Sequence, residues 1–245
     1  MRAHVGCLIG LTGVLMLAGT AVSAQEFAVN FGDDGSLTAR TLQIFALVTV
    51  LSLAPGIAIM ITCFPFIVTV LSILRQGIGL QQSPPNMLIV SLALFLTYFV
   101  MAPVFDDAWR HGISPLLAEE IDVFEAIEKA LLPFRNFMSA RVDPETLAAM
   151  TNLRPDTAAL VEGTQPPLSV LVPSFLLSEI SRAFQIGFLV FLPFLIIDLI
   201  VAAILMSMGM MMVPPAVVSL PFKLAFFVVA DGWQLVSEAL VRSYL

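Results

Sequence analysis

The chain has 245 residues, of which 59% are hydrophobic and only 12% charged, with a formal net charge of −7 and a mean hydropathy of +0.98. Soluble domains carry about 25% charged residues, so this chain has half the charge that a water-facing surface of ordinary polarity needs. That excludes an ordinary soluble enzyme, a disordered chain and, with the acidic balance, a nucleic-acid binder, and it points to an integral membrane protein.

Residues 1–24 read as a cleaved secretory signal. Arg2 and His4 open it, Val5 to Ala18 is an apolar core of signal length, and Val22-Ser23-Ala24 supplies small or tolerated residues before Gln25. An uncleaved anchor helix is the alternative reading. Cleavage would place the new N-terminus outside the cytoplasm of a bacterium. It would also leave one cysteine, Cys63, and one histidine, His111, in the mature chain. No internal disulfide, zinc site or Cys/His catalytic arrangement can then be assembled, so no metal and no catalytic residue is expected.

Residues 25–40 form a polar leader, and residues 41–105 hold the first apolar helices. No charge occurs between Arg40 and Arg75, but Pro55-Gly56 and Pro65 interrupt the run. The pattern predicts a helix from Thr41 to Ala54, a break, a second helix from Ile57 to Arg75, a turn over Gly77 to Pro85, and a third helix from Asn86 to Phe105.

Composition changes at Asp106. Eleven of the 18 acidic residues fall between there and Glu162. Ile121, Phe124, Ile127, Leu131, Phe134, Phe137 and Met138 keep three- and four-residue spacing. Residues 106–167 are therefore expected to form an amphipathic helical insert in contact with water, with a linker at Gly163 to Pro167. Its charged face is either solvated or packed between copies of the protein.

Residues 168–245 are apolar again. A helix is predicted from Ser174, with Glu179 and Arg182 one turn apart as an ion pair. After Pro214-Pro215 comes a last helix containing Pro221, Lys223 and Asp231. At an offset of 130 positions, Gly79…Pro84-Pro85 echoes Gly209…Pro214-Pro215. Each stands between apolar stretches and reads as the tip of a helical hairpin, an arrangement found where broken helices line a pathway.

Two features of the second hairpin invite a functional reading. Five of the 12 methionines lie between Met206 and Met212, and Met210, Met211 and Met212 are consecutive. They are either core filler or, if several copies point this tip at one axis, a soft apolar ring able to gate by dewetting. Asp198 and Lys223 are equidistant from that tip, so an antiparallel hairpin brings them level. A charge on such a helix needs a partner or a wet cavity, and the two are expected to form an ion pair or a shared polar network. A secondary transporter or ion channel using Asp198 is the competing reading.

The motifs Pro173-Ser174-Phe175-Leu176-Leu177-Ser178-Glu179-Ile180, Leu192-Pro193-Phe194-Leu195-Ile196-Ile197-Asp198, Gly209-Met210-Met211-Met212-Val213-Pro214-Pro215, Leu220-Pro221-Phe222-Lys223 and Asp231-Gly232-Trp233 together resemble the FliP family. Ser83-Pro84-Pro85-Asn86 and Leu92-Ala93-Leu94-Phe95-Leu96-Thr97 add to it. The resemblance implies an all-α, integral membrane-type subunit of broken helical hairpins with a periplasmic insert. Such subunits form a pentameric ring in the flagellar type III export gate. FliQ-like and FliR-like subunits would complete the channel core, and FlhB-like and FlhA-like components would be further partners, with unfolded flagellar polypeptides as cargo. It implies a place in the bacterial inner membrane at the flagellar basal body, a methionine gasket at Met210, Met211 and Met212, and a subunit contact at Glu179 with Arg182. Catalysis and cofactors are not implied, and no nucleotide-binding loop occurs in the sequence. The cleaved signal favours the flagellar branch over injectisome relatives.

Overall fold

The computed structural model describes residues 37–80, 83–153, 166–210 and 212–244. The signal, most of the leader, the Gly163–Gln165 stretch and Met211 lie outside the described residues. Among the described residues the chain is all helix, with no strand. It falls into two parts, residues 1–50 and 51–245. Helix α1 spans Leu37–Met60, and all other helices lie in the second part.

The first break falls at residues 61–63, not at Pro55-Gly56. Helix α1 runs through position 55, and α2, Phe64–Ile78, starts with Pro65 in its first turn. A proline there has no hydrogen bond to lose. Thr62 marks the corner: its hydroxyl donates to Ile59 O at 2.9 Å and accepts from Phe64 N at 3.4 Å.

Helix α2 is the centre of the fold. Ile67, Val70, Leu71, Leu74 and Ile78 recur at three- and four-residue steps on one face and are buried. That face packs against α7, Leu168–Ser207, and the approach is close because Gly187 of α7 lies against the side chain of Ile73. Helix α3, Asn86–Ala108, packs on α2. The change of composition at Asp106 does not end it. The helix continues through a π-helical turn, Trp109–Ile113, into α4, Ser114–Leu117. The acidic residues mark a change of surroundings, not of backbone.

Helix α5, Val123–Arg141, and α6, Pro144–Asn152, complete the insert. Asp143 caps α6, accepting from Thr146 N at 2.9 Å and Thr146 Oγ1 at 2.8 Å. The apolar stripe of α5 divides. Met138 is buried against Leu171 and Phe175, and Phe134 and Phe137 pack on the core, whereas Phe124 is 82% exposed with Ile127 and Leu131 beside it.

Helix α7 begins six positions earlier than the Ser174 expectation, at Leu168, and carries Pro173 and Pro193 inside it. A proline in the second turn removes one backbone bond without ending so long a helix. Buried hydroxyls along α7 are satisfied locally: Ser174 and Ser178 donate to the carbonyls of Val170 and Ser174, both at 2.7 Å.

The C-terminal stretch is two helices, not one. Helix α8, Pro215–Val229, and α9, Gly232–Arg242, meet at a 60° bend. The corner is Asp231, whose φ of 47° is left-handed, a conformation Asp tolerates better than most residues. Gly232 follows because a Cβ there would fall inside the Phe227 ring. That ring is held by an edge contact to Trp233, centroids 5.4 Å apart, and by Phe194 at 6.3 Å. Gly232→Ala should therefore overpack the corner by about 1–3 kcal/mol, measurable as a lower unfolding temperature in detergent.

Two helices, Asn86–Leu117 and Leu168–Ser207, are long and apolar enough to cross a membrane, and up to four spans result if each bent pair counts as one. The chain is an all-α membrane protein.

Candidate functional site

The two hairpin tips share a local grammar. Gly79 ends α2 with φ 87° and Gly209 follows α7 with φ 76°. Both conformations are left-handed, where a Cβ would be strained. Each glycine N–H donates to the carbonyl three residues earlier, Gln76 and Met206, at 3.1 Å. Each return helix has a proline as its N-cap, Pro85 before α3 and Pro214 before α8. Pro84 precedes the first of these caps, and Pro215 is the first residue of α8. Gly79 also lies against the second hairpin, where a Cβ would meet Leu220 at 3.5 Å and Lys223 Nζ at 3.8 Å.

The methionine tip stands clear of the rest of the chain. Met206, Met208 and Met210 are exposed, and Met212 is 97% exposed. Met211 is not among the described residues. An unbranched apolar side chain left this bare has no packing role within the subunit.

Behind the tip, Lys223 Nζ lies 2.6 Å from Asp198 Oδ2. Ser219, one turn before Lys223, donates to Asp198 Oδ1 at 2.5 Å. Lys223 also donates to Gly77 O at 3.2 Å. Gly77 is in the last turn of α2, where carbonyls have no helical partner, and an ammonium group there satisfies both the oxygen and the helix dipole. One lysine thus ties the methionine hairpin to the tip of the first hairpin. Its side chain is only 7% exposed, while that of Asp198 is 37% exposed, so the pair is buried from the lysine side.

Glu179 is wholly buried within the subunit. Its Oε1 lies 3.3 Å from Arg182 Nη1 and 3.4 Å from Arg141 Nε, and its Oε2 accepts from the Tyr244 hydroxyl. Arg141 also donates to Ser243 O at 2.6 Å, and its guanidinium lies 4.0 Å above the Tyr244 ring. Burial and the adjacent carboxylate hold the Tyr244 hydroxyl far above its ordinary range, so it remains a donor. Of the pair singled out as a subunit contact, the Glu179 carboxylate is engaged internally and only Arg182, 35% exposed, reaches the surface. Sequence reasoning named neither Arg141, Tyr244 nor Ser219, and it placed Gly77 only in a turn, whereas Gly77 belongs to the last turn of α2. Ser219 was within reach, because it precedes Lys223 by one helical turn.

Among the described residues no three metal-binding side chains cluster. Glu179 with Arg141 and Arg182, and Asp198 with Lys223, act as buried ties between helices.

Comparison with known proteins places this architecture. A model of the FliP family matches residues 47–240, a stretch that takes in both tips and the charged residues Arg141, Glu179, Arg182, Asp198 and Lys223. The flagellar biosynthetic protein FliP of Caulobacter vibrioides is 49% identical over 247 residues, covering 99% of this chain and 91% of that protein. The protein of the same description from Rhizobium meliloti is 48% identical, covering 95% and 97%. That of Bacillus subtilis is 44% identical, covering 86% and 95%. With a family match across most of its length and relatives at this identity, the chain belongs to the FliP family.

Proposed function

We infer that the chain is a non-enzymatic subunit of the flagellar protein export gate in the bacterial inner membrane. Several copies form a ring, pentameric by the family resemblance, with FliQ-like and FliR-like subunits. FlhB-like and FlhA-like components stand beside it, and unfolded flagellar polypeptides pass through the centre. Residues 1–24 are the cleaved signal, and residues 106–167 are the periplasmic insert. The methionine tips point at the common axis and close the pore.

The observation that carries this reading is the bareness of the tip: Met212 is 97% exposed at the end of an otherwise apolar hairpin. Apolar side chains meeting at an axis exclude water and ions, yet methionine is flexible enough to part around a moving chain. The Asp198–Lys223 tie fixes the hairpin behind the tip, so the tip is the part free to move.

The test replaces Met210, Met211 and Met212 with alanine. Cells carrying the triple variant should become permeable to small ions, with flagellar subunits still appearing in the medium. Unchanged permeability together with loss of uptake of a small solute would overturn the gate and favour a secondary transporter using Asp198.

A further inference from the structure

Two hollows at the α8–α9 corner share Phe227 and Gly232 as walls. One, of about 620 Å³, runs between the first hairpin tip and the corner, with Ile78, Pro84, Leu224, Asp231 and Trp233 among its walls. The other, of about 370 Å³, is walled by apolar residues alone, among them Leu74, Val190, Phe194 and Leu235. A mainly apolar hollow with a carboxylate in its wall thus adjoins a purely apolar slot.

The larger hollow has opposite charges at its edge. Asp231 is exposed and makes no capping bond. Arg75 of α2 donates from Nη1 to Pro84 O at 3.4 Å, and Pro84 is a wall of the same hollow, so the guanidinium stands at its rim. Nη1 also donates to Asn86 Oδ1, while Nε and Nη2 have no partner among the described residues. Arg75 and Asp231 do not pair with each other. Asp106 and Asp107 lack an ion-pair partner too, so want of a partner does not single out Asp231. Its setting does: a cation at the rim of the same hollow and an apolar slot next to it.

A ligand that answers all three features carries an anion, a cation and a hydrocarbon chain. A phosphodiester suits Arg75, whose Nε and Nη2 present parallel N–H groups. A primary ammonium suits Asp231, because a carboxylate only accepts and an ammonium offers three donors. An acyl chain suits the slot, and an indole such as that of Trp233 is at home at headgroup depth. These parts occur together in the bilayer that surrounds a membrane protein. A lipid with an anionic headgroup would leave Asp231 facing no cation.

We propose that this corner binds a bilayer phospholipid with a primary-ammonium headgroup, its phosphate on Arg75, its ammonium on Asp231 and one acyl chain in the slot lined by Leu74 and Phe194.

The test uses the complex purified in detergent and washed until no lipid phosphorus remains. Gln234→Cys places a thiol on the wall of the larger hollow at an exposed position, and the native Cys63 is buried. Dioleoyl phosphatidylethanolamine should protect this thiol from a water-soluble maleimide at a concentration roughly tenfold lower than phosphatidylcholine or phosphatidylglycerol with the same chains. Asp231→Asn, which keeps a residue that tolerates a left-handed backbone, should erase the preference for ethanolamine over choline. Arg75→Gln should weaken protection by both of these lipids alike, because the phosphate is common to them.

Absent or equal protection by the three lipids would overturn the proposal. That comparison leaves both charges in place, so it decides even where a charge variant fails to fold. A folded Asp231→Asn chain that kept the ethanolamine preference would also overturn it. So would a thiol already blocked before lipid is added, which would mean that a protein chain fills the hollow.

Discussion

Glu179→Ala should cost the subunit about 3–5 kcal/mol and lower its unfolding temperature in detergent by roughly 10 °C. The carboxylate is wholly buried, and among the described residues it is the ion-pair partner of both guanidinium groups. Its removal affects them unequally. Arg182 is 35% exposed and can turn to solvent, whereas Arg141 is 18% exposed and pinned by the Ser243 carbonyl and the Tyr244 ring. The penalty therefore falls on Arg141, left charged and buried, and on a tyrosine hydroxyl that has lost its acceptor. Glu179→Gln, which keeps an acceptor of the same size, should cost distinctly less. Tyr244→Phe should cost about 1–2 kcal/mol, because the ring contacts to Phe66 and Phe137 survive and one hydrogen bond does not. An unfolding temperature for Glu179→Ala indistinguishable from that of the unaltered protein would sink this account.

The second large effect is expected at Asp198 and Lys223. Asp198→Lys would place two ammonium groups where one ion pair now spans 2.6 Å, and assembly and export should both be lost. Lys223→Met should cost about 3 kcal/mol, the lower end for breaking a buried pair, because Asp198 keeps some contact with solvent. The exchanged pair, Asp198→Lys with Lys223→Asp, should recover part of the assembly and not all of it. A carboxylate at position 223 cannot donate to the Gly77 carbonyl, which now receives a bond of 3.2 Å. Full recovery would mean that the bond to the first hairpin is dispensable. No recovery would mean that the two charges act separately, and a double-mutant cycle on the assembled fraction distinguishes these outcomes.

What the sequence made legible depended on how far apart the relevant residues lie. The apolar class, the two hairpin tips and the level placement of Asp198 and Lys223 follow from local signals: Gly and Pro at the tips and equal spacing about the step between Met210 and Met211. The positions of the breaks did not follow. Pro55-Gly56 carries more obvious punctuation than Thr62-Cys63, but a proline inside a long apolar helix can remove a backbone bond without ending it, and Pro65 serves as a start. Asp231-Gly232 looked like a charge inside a helix because the space that demands glycine at 232 is set by the Phe227 ring, a packing fact. Glu179 could be paired with Arg182 by helical spacing alone. Its other partners, Arg141 and Tyr244, lie 38 and 65 positions away, with no period or motif linking them. Gly77 is 146 positions from Lys223, and only the packing of one hairpin on the other brings them together.

The Glu179 cluster also has a consequence for the order in which the subunit can be made. Arg141 reaches the Ser243 carbonyl across 102 positions. As the chain emerges from the ribosome, Arg141 comes first and Glu179 and Arg182 follow. The donor hydroxyl of Tyr244 arrives only after the whole methionine hairpin has been synthesised. Until then the carboxylate is short of a partner and the insert is not clamped to α7. The clamp can close only once Ser243 and Tyr244 have been made, so synthesis of the second hairpin precedes the locking of Arg141 and Glu179. A chain that stops short of Tyr244 lacks that donor and remains unlocked.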